Sequence, residues 1–356
     1  MVTEAVSQKD ALLQEALTGA DIRCGVCQRR CVIPEGQVGY CRTRLNEGGQ
    51  LRSLIYGQVA SIAVSPIEKK PCFHYYPASR WLSLGSVGCN FRCPGCQNWE
   101  IAHADPSKSP PATEYLSPED AVRLAEEKRC LGISWTYNEP TLWLEYTLDS
   151  ARLARSSGLL TNYVTNGFAT SEALDLLGPW LDSFRVDVKG FSRAAYRRIA
   201  HIDGFRGILD VIARAKHHWR MHVELVTNII PTYNDRPEEL RRLAEWIASE
   251  LGPDTPWHIT QFAPHLRLSH LPATAIETLE DARSIGLEAG LRYVYLGNVL
   301  GHPAENTYCH SCGELLIQRH GFSITQNRLD GNRCPSCRTE IPGRWTPPAA
   351  NQAEQD

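Results

Sequence analysis

Between residues 80 and 300, short apolar runs alternate with longer segments in which apolar residues recur every three or four positions. The short runs predict buried strands, and the periodic segments predict helices. The seven strand-like runs are 81–87, 132–137, 159–166, 184–189, 222–230, 258–263 and 292–298. The clearest helical segments are 117–129, 237–252 and 275–290, and the first begins with a Ser-Pro pair that is typical of a helix N-terminus.

The alternation of strand and helix predicts a parallel sheet with helical crossovers. A chain of 356 residues is long enough for a full or partial α/β barrel, and an open doubly wound sheet is the competing fold. In both folds the ligand site lies at the carboxyl ends of the strands. The stretch "GCNFRC", which follows the first predicted strand, is therefore expected at that site.

The composition is that of a globular protein, with 42% hydrophobic and 22% charged residues. The net charge of −3 gives no reason to expect nucleic acid as a partner. No run reaches the roughly 18 apolar residues that a membrane span needs, and the first residues lack the apolar core of a secretory signal. We therefore predict a cytoplasmic protein with no membrane partner.

Thirteen cysteines in a reducing compartment favour metal binding over disulfides. Eleven of them fall into three clusters: Cys24, Cys27, Cys31 and Cys41; Cys89, Cys93 and Cys96; Cys309, Cys312, Cys334 and Cys337. We expect the other two, Cys72 and Cys130, to be buried thiols without a metal.

The central cluster contains three cysteines and no neighbouring fourth. Iron–sulfur clusters take about one thiolate per iron, so three cysteines leave one iron of a [4Fe–4S] cluster open. A zinc knuckle with a distant fourth ligand is the alternative. The spacing Cys89-x3-Cys93-x2-Cys96 resembles that of radical S-adenosylmethionine (radical SAM) enzymes. The resemblance implies a partial (β/α)6-type barrel, a [4Fe–4S] cluster, S-adenosyl-L-methionine on the open iron, and a 5′-deoxyadenosyl radical.

Polar residues at the other predicted strand ends fit the same resemblance. It implies cofactor contacts from the "TYNEP" stretch and from further strand ends: Tyr137, Asn138, Glu139, Asn166, Asp187, Asn228, His265 and Asn298. Asp187 and Lys189 resemble the Asp-x-Lys pair of glycyl-radical activating enzymes, which implies a catalytic role. Each of these residues also has a purely structural interpretation. The "TYNEP" stretch could cap a helix, Asp187 and Lys189 could form a surface ion pair, and His265 could be a structural histidine.

The whole chain resembles a narrower group, the radical SAM enzyme of the AmmeMemoRadiSam system. The matching stretches include "CGVCQRRCVIPEGQVGYCRTR", "SPIEKKPCFHYYPASRWLSLGSVGCNFRCPGCQN" and "NTYCHSCGELLIQRHGF". The resemblance implies Memo-like and AMMECR1-like neighbours. The radical chemistry that the resemblance implies would also need an external electron donor of the flavodoxin or ferredoxin type.

The two flanking clusters each supply four thiolates. Cys309-x2-Cys312 and Cys334-x2-Cys337 have the spacing of a zinc ribbon, with rubredoxin-like iron as the alternative. For Cys24, Cys27, Cys31 and Cys41 we favour zinc, with an auxiliary iron–sulfur cluster as the alternative.

These patterns predict four regions: a Cys-rich metal-binding region (1–78), a radical SAM barrel (79–303), a zinc-ribbon-like module (304–346) and a disordered tail (347–356). The function that the resemblance implies is reductive cleavage of S-adenosylmethionine, followed by hydrogen abstraction from an unidentified substrate, which could be a protein. The alternatives are a glycyl-radical enzyme activase and a non-catalytic, metal-stapled adaptor.

Overall fold

The structure is a computed structural model that describes residues 9–108 and 112–348. The described part contains nineteen strands and eight α-helices. The strands are β1 (Lys9–Asp10), β2 (Gln14–Ala16), β3 (Ile22–Cys24), β4 (Val32–Ile33), β5 (Arg44–Glu47), β6 (Gln50–Ser53), β7 (Gln58–Val59), β8 (Ser61–Pro66), β9 (Arg80–Gly85), β10 (Glu114–Tyr115), β11 (Gly132–Trp135), β12 (Leu160–Thr165), β13 (Ser183–Asp187), β14 (His222–Ile229), β15 (Trp257–Gln261), β16 (Val294–Gly297), β17 (Thr307–Tyr308), β18 (Leu315–His320) and β19 (Ser323–Asn327).

The main sheet has eight strands in the order β16-β15-β14-β13-β12-β11-β9-β8. All seven strands predicted from the apolar runs are present, and they run parallel to one another. The eighth strand, β8, pairs antiparallel with β9. This strand belongs to the segment that the sequence assigned to the N-terminal region, so the chain enters the sheet earlier than expected.

The helices are α1 (Trp99–Ala102), α2 (Pro118–Glu127), α3 (Leu144–Ser156), α4 (Ser171–Leu177), α5 (Arg193–Ile199), α6 (Arg206–His217), α7 (Pro237–Trp246) and α8 (Ile276–Glu288). Each predicted helix is present. The Ser117 hydroxyl accepts a hydrogen bond from the Asp120 amide at 3.0 Å, which satisfies one of the free donors at the start of α2. The turn Ile247–Leu251 extends α7 up to Gly252, whose φ of 91° ends the helix.

Helices lie in the crossovers between parallel strands, so the strands are buried on both faces. Trp81, Trp135 and Trp257, one each on β9, β11 and β15, have no exposed surface. Burying side chains of this size removes much apolar surface from water, and that burial is the main force holding the sheet to its helices.

Small antiparallel sheets flank the main sheet on the N-terminal side, in the orders β1-β6-β5, β2-β3-β4 and β10-β7. A buried ion pair fastens this region to the helical layer, because both terminal nitrogens of Arg44 bind the Glu145 carboxylate at 2.9 Å. Both side chains are almost fully buried. Removing either one would leave an unpaired buried charge.

The C-terminal module is the three-stranded sheet β17-β18-β19. The buried His74 connects this module to the main sheet. One of its ring nitrogens lies 2.6 Å from the Pro342 carbonyl oxygen of the C-terminal segment, and the other lies 2.6 Å from the hydroxyl of Tyr295 on β16. Most of the predicted disordered tail, 349–356, lies outside the described residues. Within the described ranges, no helix combines the length and apolar character needed to cross a membrane.

Candidate active site

A cavity of about 470 Å³ opens at the carboxyl ends of the parallel strands. Parallel strands end on the same edge of their sheet, so the loops that follow them meet there. The residues predicted from the sequence that line this cavity are Cys89, Cys93, Cys96, Tyr137, Asn138, Glu139, Asn166, Asp187, Lys189, Asn228 and Asn298. The structure therefore gathers into one site residues that are up to 209 positions apart in the chain, from Cys89 to Asn298.

The three-cysteine loop follows β9 and is held by neighbouring strand ends. Asn138 accepts a hydrogen bond from the Ser86 amide at 3.2 Å and donates one to the Gly88 carbonyl at 2.9 Å. Gly88 has a φ of 84°, and a Cβ atom there would lie 2.3 Å from the Thr43 side chain. Because only glycine fits this position, the turn into the loop is fixed by both conformation and space.

The sulfur atoms of the three-cysteine loop do not form a compact single-ion site. Among the described residues, Cys89, Cys93 and Cys96 are absent from the groups whose ligand atoms all lie within 4.8 Å of one another. One zinc ion bound at about 2.3 Å would pull thiolates closer than that. In an iron–sulfur cluster each thiolate binds a different iron, so thiols that are not gathered around one point are compatible with such a cluster.

Burial raises the pKa of all three thiols, to about 11 for Cys93. Metal binding must therefore release protons from this loop. The Cys89 sulfur accepts a hydrogen bond from the Phe91 amide at 3.4 Å, and the Asn166 amide nitrogen lies 3.9 Å from it. Such donors stabilise a thiolate that binds a metal.

Glu139 is a buried carboxylate in the cavity wall. Its Oε1 accepts hydrogen bonds from the Thr141 amide, the Thr141 hydroxyl and the Thr165 hydroxyl at 3.0, 2.6 and 2.7 Å. Its Oε2 accepts one from the Asn166 amide at 2.8 Å. All four donors are neutral, and burial raises the pKa of Glu139 despite them. A cation in the cavity would supply the charge that these partners lack.

Asp187 and Lys189 form a half-buried ion pair. The alternative interpretation, an ion pair on the protein surface, is therefore not what the structure shows. Lys189 Nζ lies 3.7 Å from one Asp187 oxygen, and a terminal nitrogen of Arg185 lies 2.8 Å from the other. Burial raises the pKa of Asp187, but Arg185 and Lys189 outweigh it and hold that pKa below its ordinary value. Burial lowers the pKa of Lys189, but Asp187 outweighs it, so the pair stays ionised.

The remaining predicted residues have different surroundings. Asn228 donates to the Thr260 and Gln261 carbonyls on β15, and Asn298 also donates to the Gln261 carbonyl. His265 does not line the cavity; it precedes the short turn Leu266–Leu268. Its Nε2 is buried and has no hydrogen-bond partner among the described residues.

The sequence reasoning missed Lys70, which lines the cavity although it follows no parallel strand. Lys70 Nζ donates to Ser65 Oγ and Ser83 Oγ, at 2.5 and 2.6 Å. Burial lowers its pKa to about 8. The sequence offered one indication of Lys70, its position in the stretch "SPIEKKPC". That stretch is placed beside β9 by the antiparallel pairing of β8 with β9, which the sequence did not reveal. Phe322, from the turn between β18 and β19, also lines the cavity.

The four C-terminal cysteines form a compact group. All their sulfur atoms lie within 4.8 Å of one another. The Cys309–Cys337 and Cys312–Cys334 sulfur distances are 3.5 and 3.7 Å. Tetrahedral bonding at about 2.3 Å requires sulfur separations of about 3.8 Å, so this group could hold zinc.

The four N-terminal cysteines surround a second, smaller cavity. Cys24, Cys27 and Cys41 are buried and Cys31 is partly buried. Cys72 and Cys130 lie outside the three clusters and are buried, as expected.

Comparison with known proteins connects the central site to a family. The family model described as "Radical SAM superfamily" matches residues 84–247. An uncharacterized protein of Methanocaldococcus jannaschii, MJ0808, is 40% identical over 335 residues, which cover 94% of this chain and 98% of that protein. The pyruvate formate-lyase-activating enzyme of Clostridium pasteurianum is 26% identical over 164 residues, which cover 45% of this chain and 66% of the enzyme.

Solved structures with a similar chain path include a domain of a pyruvate-formate lyase-activating enzyme from Bacteroides vulgatus. Its TM-score is 0.41 at 18% identity, with 47% of this chain and 99% of that chain covered. Streptococcus suis SuiB bound to S-adenosylmethionine has a TM-score of 0.48 at 8% identity, with 68% of this chain and 56% of that chain covered.

Proposed function

Because residues 84–247 match the radical SAM superfamily model, we propose that the chain is an enzyme that cleaves S-adenosylmethionine reductively and abstracts a hydrogen atom from a substrate bound in the strand-end cavity. The match to the superfamily implies two cofactors, a [4Fe–4S] cluster and S-adenosylmethionine. The observation that supports this site is that all three cysteines of the loop line the cavity at the strand ends.

We assign the cluster to Cys89, Cys93 and Cys96. When bound, the cluster and S-adenosylmethionine supply the reductive cleavage that yields a 5′-deoxyadenosyl radical, with one electron from an external donor of the flavodoxin or ferredoxin type. The protein orients the reacting groups and excludes water from the cavity. Asn138 accepts from the Ser86 amide and donates to the Gly88 carbonyl, and these two hydrogen bonds keep the start of the three-cysteine loop at the strand ends.

Glu139 is the residue that we assign to the ammonium group of S-adenosylmethionine. Its carboxylate is buried, lines the cavity and has only neutral hydrogen-bond donors. An ammonium ion brought into contact would replace the lost hydration of this charge. Asn166 bonds both to Glu139 and to the cluster loop, so it fixes the distance between the two. We assign Tyr137, Asn138, Asn228 and Asn298 to the remainder of the cofactor contact.

The lining of the cavity carries more positive than negative side chains, with Lys69 among the positive ones and Glu139 among the negative ones. Lys70, Arg185 and Lys189 line the cavity together with Asp187. We assign Asp187 and Lys189 to the positioning of substrate, since both are ionised and fixed by their neighbours. His265 remains a proposed contact for the adenine, reached only if its loop moves toward the cavity.

The resemblance to the AmmeMemoRadiSam system supports the narrower proposal that the enzyme works with Memo-like and AMMECR1-like neighbours. The four regions 1–78, 79–303, 304–346 and 347–356 are proposed as the domain plan. The sulfur geometry supports a single tetrahedral metal ion in the C-terminal module, and we propose zinc as that ion. These proposals place the three cluster-binding cysteines in the middle region, with Lys70 reaching the cavity from the first region, and assign stabilising metals to the two flanks.

The deciding experiment uses anaerobically reconstituted full-length protein with dithionite and S-adenosylmethionine. We expect release of 5′-deoxyadenosine by the wild-type protein and none by Cys93→Ala with an unchanged circular dichroism spectrum. Cys130→Ala is the matched control, because Cys130 is also buried but lies outside the clusters. A wild-type protein with a full cluster and no 5′-deoxyadenosine would favour the adaptor function instead.

A glycyl-radical activase is the second candidate, supported by the relative from Clostridium pasteurianum. Its target would be a backbone glycine of a partner protein. After incubation with partner proteins that co-purify with the enzyme, an electron paramagnetic resonance spectrum with a glycyl doublet would establish it. A turnover-dependent change in a small molecule, without that doublet, would exclude it.

A further inference from the structure

We propose that Lys70 and Arg185 form an anion-binding subsite at the inner end of the strand-end cavity, and that the substrate carries a carboxylate or phosphate group that occupies it. The inference rests on the proposed function, because it names the class of molecule on which the radical would act. It is carried by the position of the two side chains, by their burial, and by donor atoms that lack an acceptor.

Both basic residues lie deeper in the fold than the residues at the strand ends, and both line the cavity. Arg185 and Asp187 are two positions apart on β13, so their side chains point to the same face of that strand. Asp187 is the last residue of β13, and Arg185 therefore lies roughly 6–7 Å farther from the ligand edge. Ser83, which accepts a hydrogen bond from Lys70, has the same relation to Gly85 at the end of β9. The subsite is thus at the inner end of the cavity.

Lys70 is a buried cation whose hydrogen-bond acceptors in the described part of the chain are neutral. It is 4% exposed, and its Nζ donates to the hydroxyls of Ser65 and Ser83. An ammonium group has three donors, so one remains available. Buried charges are normally paired with an opposite charge, and an anion in the cavity would supply both that charge and the third acceptor.

Arg185 is fixed beside Lys70 and also has a donor to spare. It is 8% exposed, and its Nε donates to the Lys70 carbonyl at 2.8 Å. Its Nη1 is buried and lies 2.8 Å from an Asp187 oxygen, yet it makes no hydrogen bond to any described residue. A buried donor without an acceptor is unfavourable, so this atom points to a missing acceptor. The oxygens of a carboxylate or phosphate are acceptors that suit both a lysine and an arginine.

A different cation neighbours the cluster loop. Burial raises the pKa of Cys93, and the charge of Lys189 opposes that rise. Burial lowers the pKa of Lys70, and its titratable neighbours lie outside the three cysteine clusters. These neighbours are Cys72, Lys69, Cys130, Glu68 and, through its contact with the Lys70 carbonyl, Arg185. We therefore assign the Lys70 subsite to the substrate and not to the carboxylate of S-adenosylmethionine.

The test measures the binding of small anions to anaerobically reconstituted, full-length protein by isothermal titration calorimetry, with and without saturating S-adenosylmethionine. The probes are acetate for a carboxylate and sulfate as a tetrahedral substitute for phosphate, with acetamide as the neutral control. We expect at least one anion, and not acetamide, to bind in the presence of S-adenosylmethionine. The anion that binds more tightly indicates which group the substrate carries.

The variant Lys70→Met should weaken the binding of that anion about 10-fold or more, because it removes a charged donor. The variant should fold, since Ser65 Oγ and Ser83 Oγ lie 3.2 Å apart and can bond to each other without the lysine. Lys128→Met is the matched control, because Lys128 is exposed and does not line the cavity. Its affinity for the anion should equal that of the wild type.

The pH dependence of the wild type provides a second measurement that needs no variant. Lys70 has a pKa of about 8, and burial raises the pKa of Cys72, Cys130 and Glu68 around it. Acetate and sulfate keep their charge above about pH 6, so their affinity should be constant near pH 7 and fall about tenfold per pH unit well above about pH 8, as Lys70 becomes neutral. Lys70→Met should lack this dependence.

Three results would overturn the inference: binding of neither anion, equal binding by Lys70→Met and the wild type, or binding that disappears when S-adenosylmethionine is present. The last would assign the subsite to the carboxylate of the cofactor. Failure of the proposed function looks different, since the wild type would then release no 5′-deoxyadenosine, whether or not the anions bind. If this inference alone fails, 5′-deoxyadenosine is released while Lys70-dependent anion binding is absent.

Discussion

The substitution Glu139→Gln tests the most specific proposal about the site, namely that the buried Glu139 carboxylate binds the ammonium group of S-adenosylmethionine. The substitution keeps the shape of the side chain and removes its charge. A hydrogen bond to a charged group contributes about 1.5–3 kcal/mol. Losing one should weaken S-adenosylmethionine binding about 10- to 150-fold.

The cost to the protein without cofactor should be smaller, because two effects oppose each other. Glutamine leaves one buried donor unsatisfied, either the Asn166 amide or the Thr141 amide. It also removes a charge whose burial raises the pKa of Glu139. Cofactor affinity and stability should therefore respond differently, which separates a binding role from a structural one.

The assay is equilibrium binding of S-adenosylmethionine to anaerobic protein, at matched iron content. Because the folded pKa of Glu139 is raised, the ammonium group should favour the ionised form, and wild-type affinity should fall as the pH is lowered. That dependence should vanish in Glu139→Gln.

Glu239→Gln is the control, since Glu239 is a buried carboxylate that accepts a hydrogen bond from the Phe191 amide at 2.7 Å away from the cavity. Equal affinity of Glu139→Gln and the wild type, with the cluster intact, would refute the reasoning.

Three further predictions concern stability. Burial lowers the pKa of His74 to about 4, so the neutral ring contributes fully to stability above about pH 6.5, and this contribution is lost as the pH falls. The free energy of unfolding, measured with urea, should therefore fall by about 2 kcal/mol between about pH 7 and 5. The His74→Gln variant should lack this part of the pH dependence. Arg44→Met should destabilise by about 3–5 kcal/mol in the same assay by leaving Glu145 unpaired, and Arg44→Met/Glu145→Leu should recover most of the loss. Cys334→Ser should lose about one zinc ion, retain its iron, and make residues 304–346 sensitive to protease, which limited proteolysis and metal analysis would detect.

The parallel sheet could be predicted because each of its seven strands is a short apolar run between helical or turn segments. β11, Gly132–Trp135, is buried at every position, so its apolar character is continuous in the sequence. β8 could not be predicted in the same way. Its residues are mostly partly buried or exposed, and its place in the sheet is set by antiparallel pairing with β9.

The same distinction applies to the site. Glu139 and Asp187 could be identified because Glu139 follows β11 and Asp187 is the last residue of β13, and the ends of these strands mark the ligand edge. Lys70 could not, because it enters the cavity from the segment after β8 and is held by Ser65 and Ser83. No local pattern encodes that approach, so its lowered pKa emerges only from the folded surroundings.

The cysteines show where sequence spacing stops being informative about the metal. A Cys-x2-Cys knuckle places two thiolates on one turn, and both zinc and iron–sulfur sites use it. The choice between them depends on how far apart the chain holds the two halves of the site. In the C-terminal module the hairpin β18–β19 brings Cys334 within 3.7 Å of Cys312. Cys24, Cys27, Cys31 and Cys41 line one small cavity but, among the described residues, do not form a group whose sulfur atoms all lie within 4.8 Å of one another, and only tertiary structure could reveal that difference.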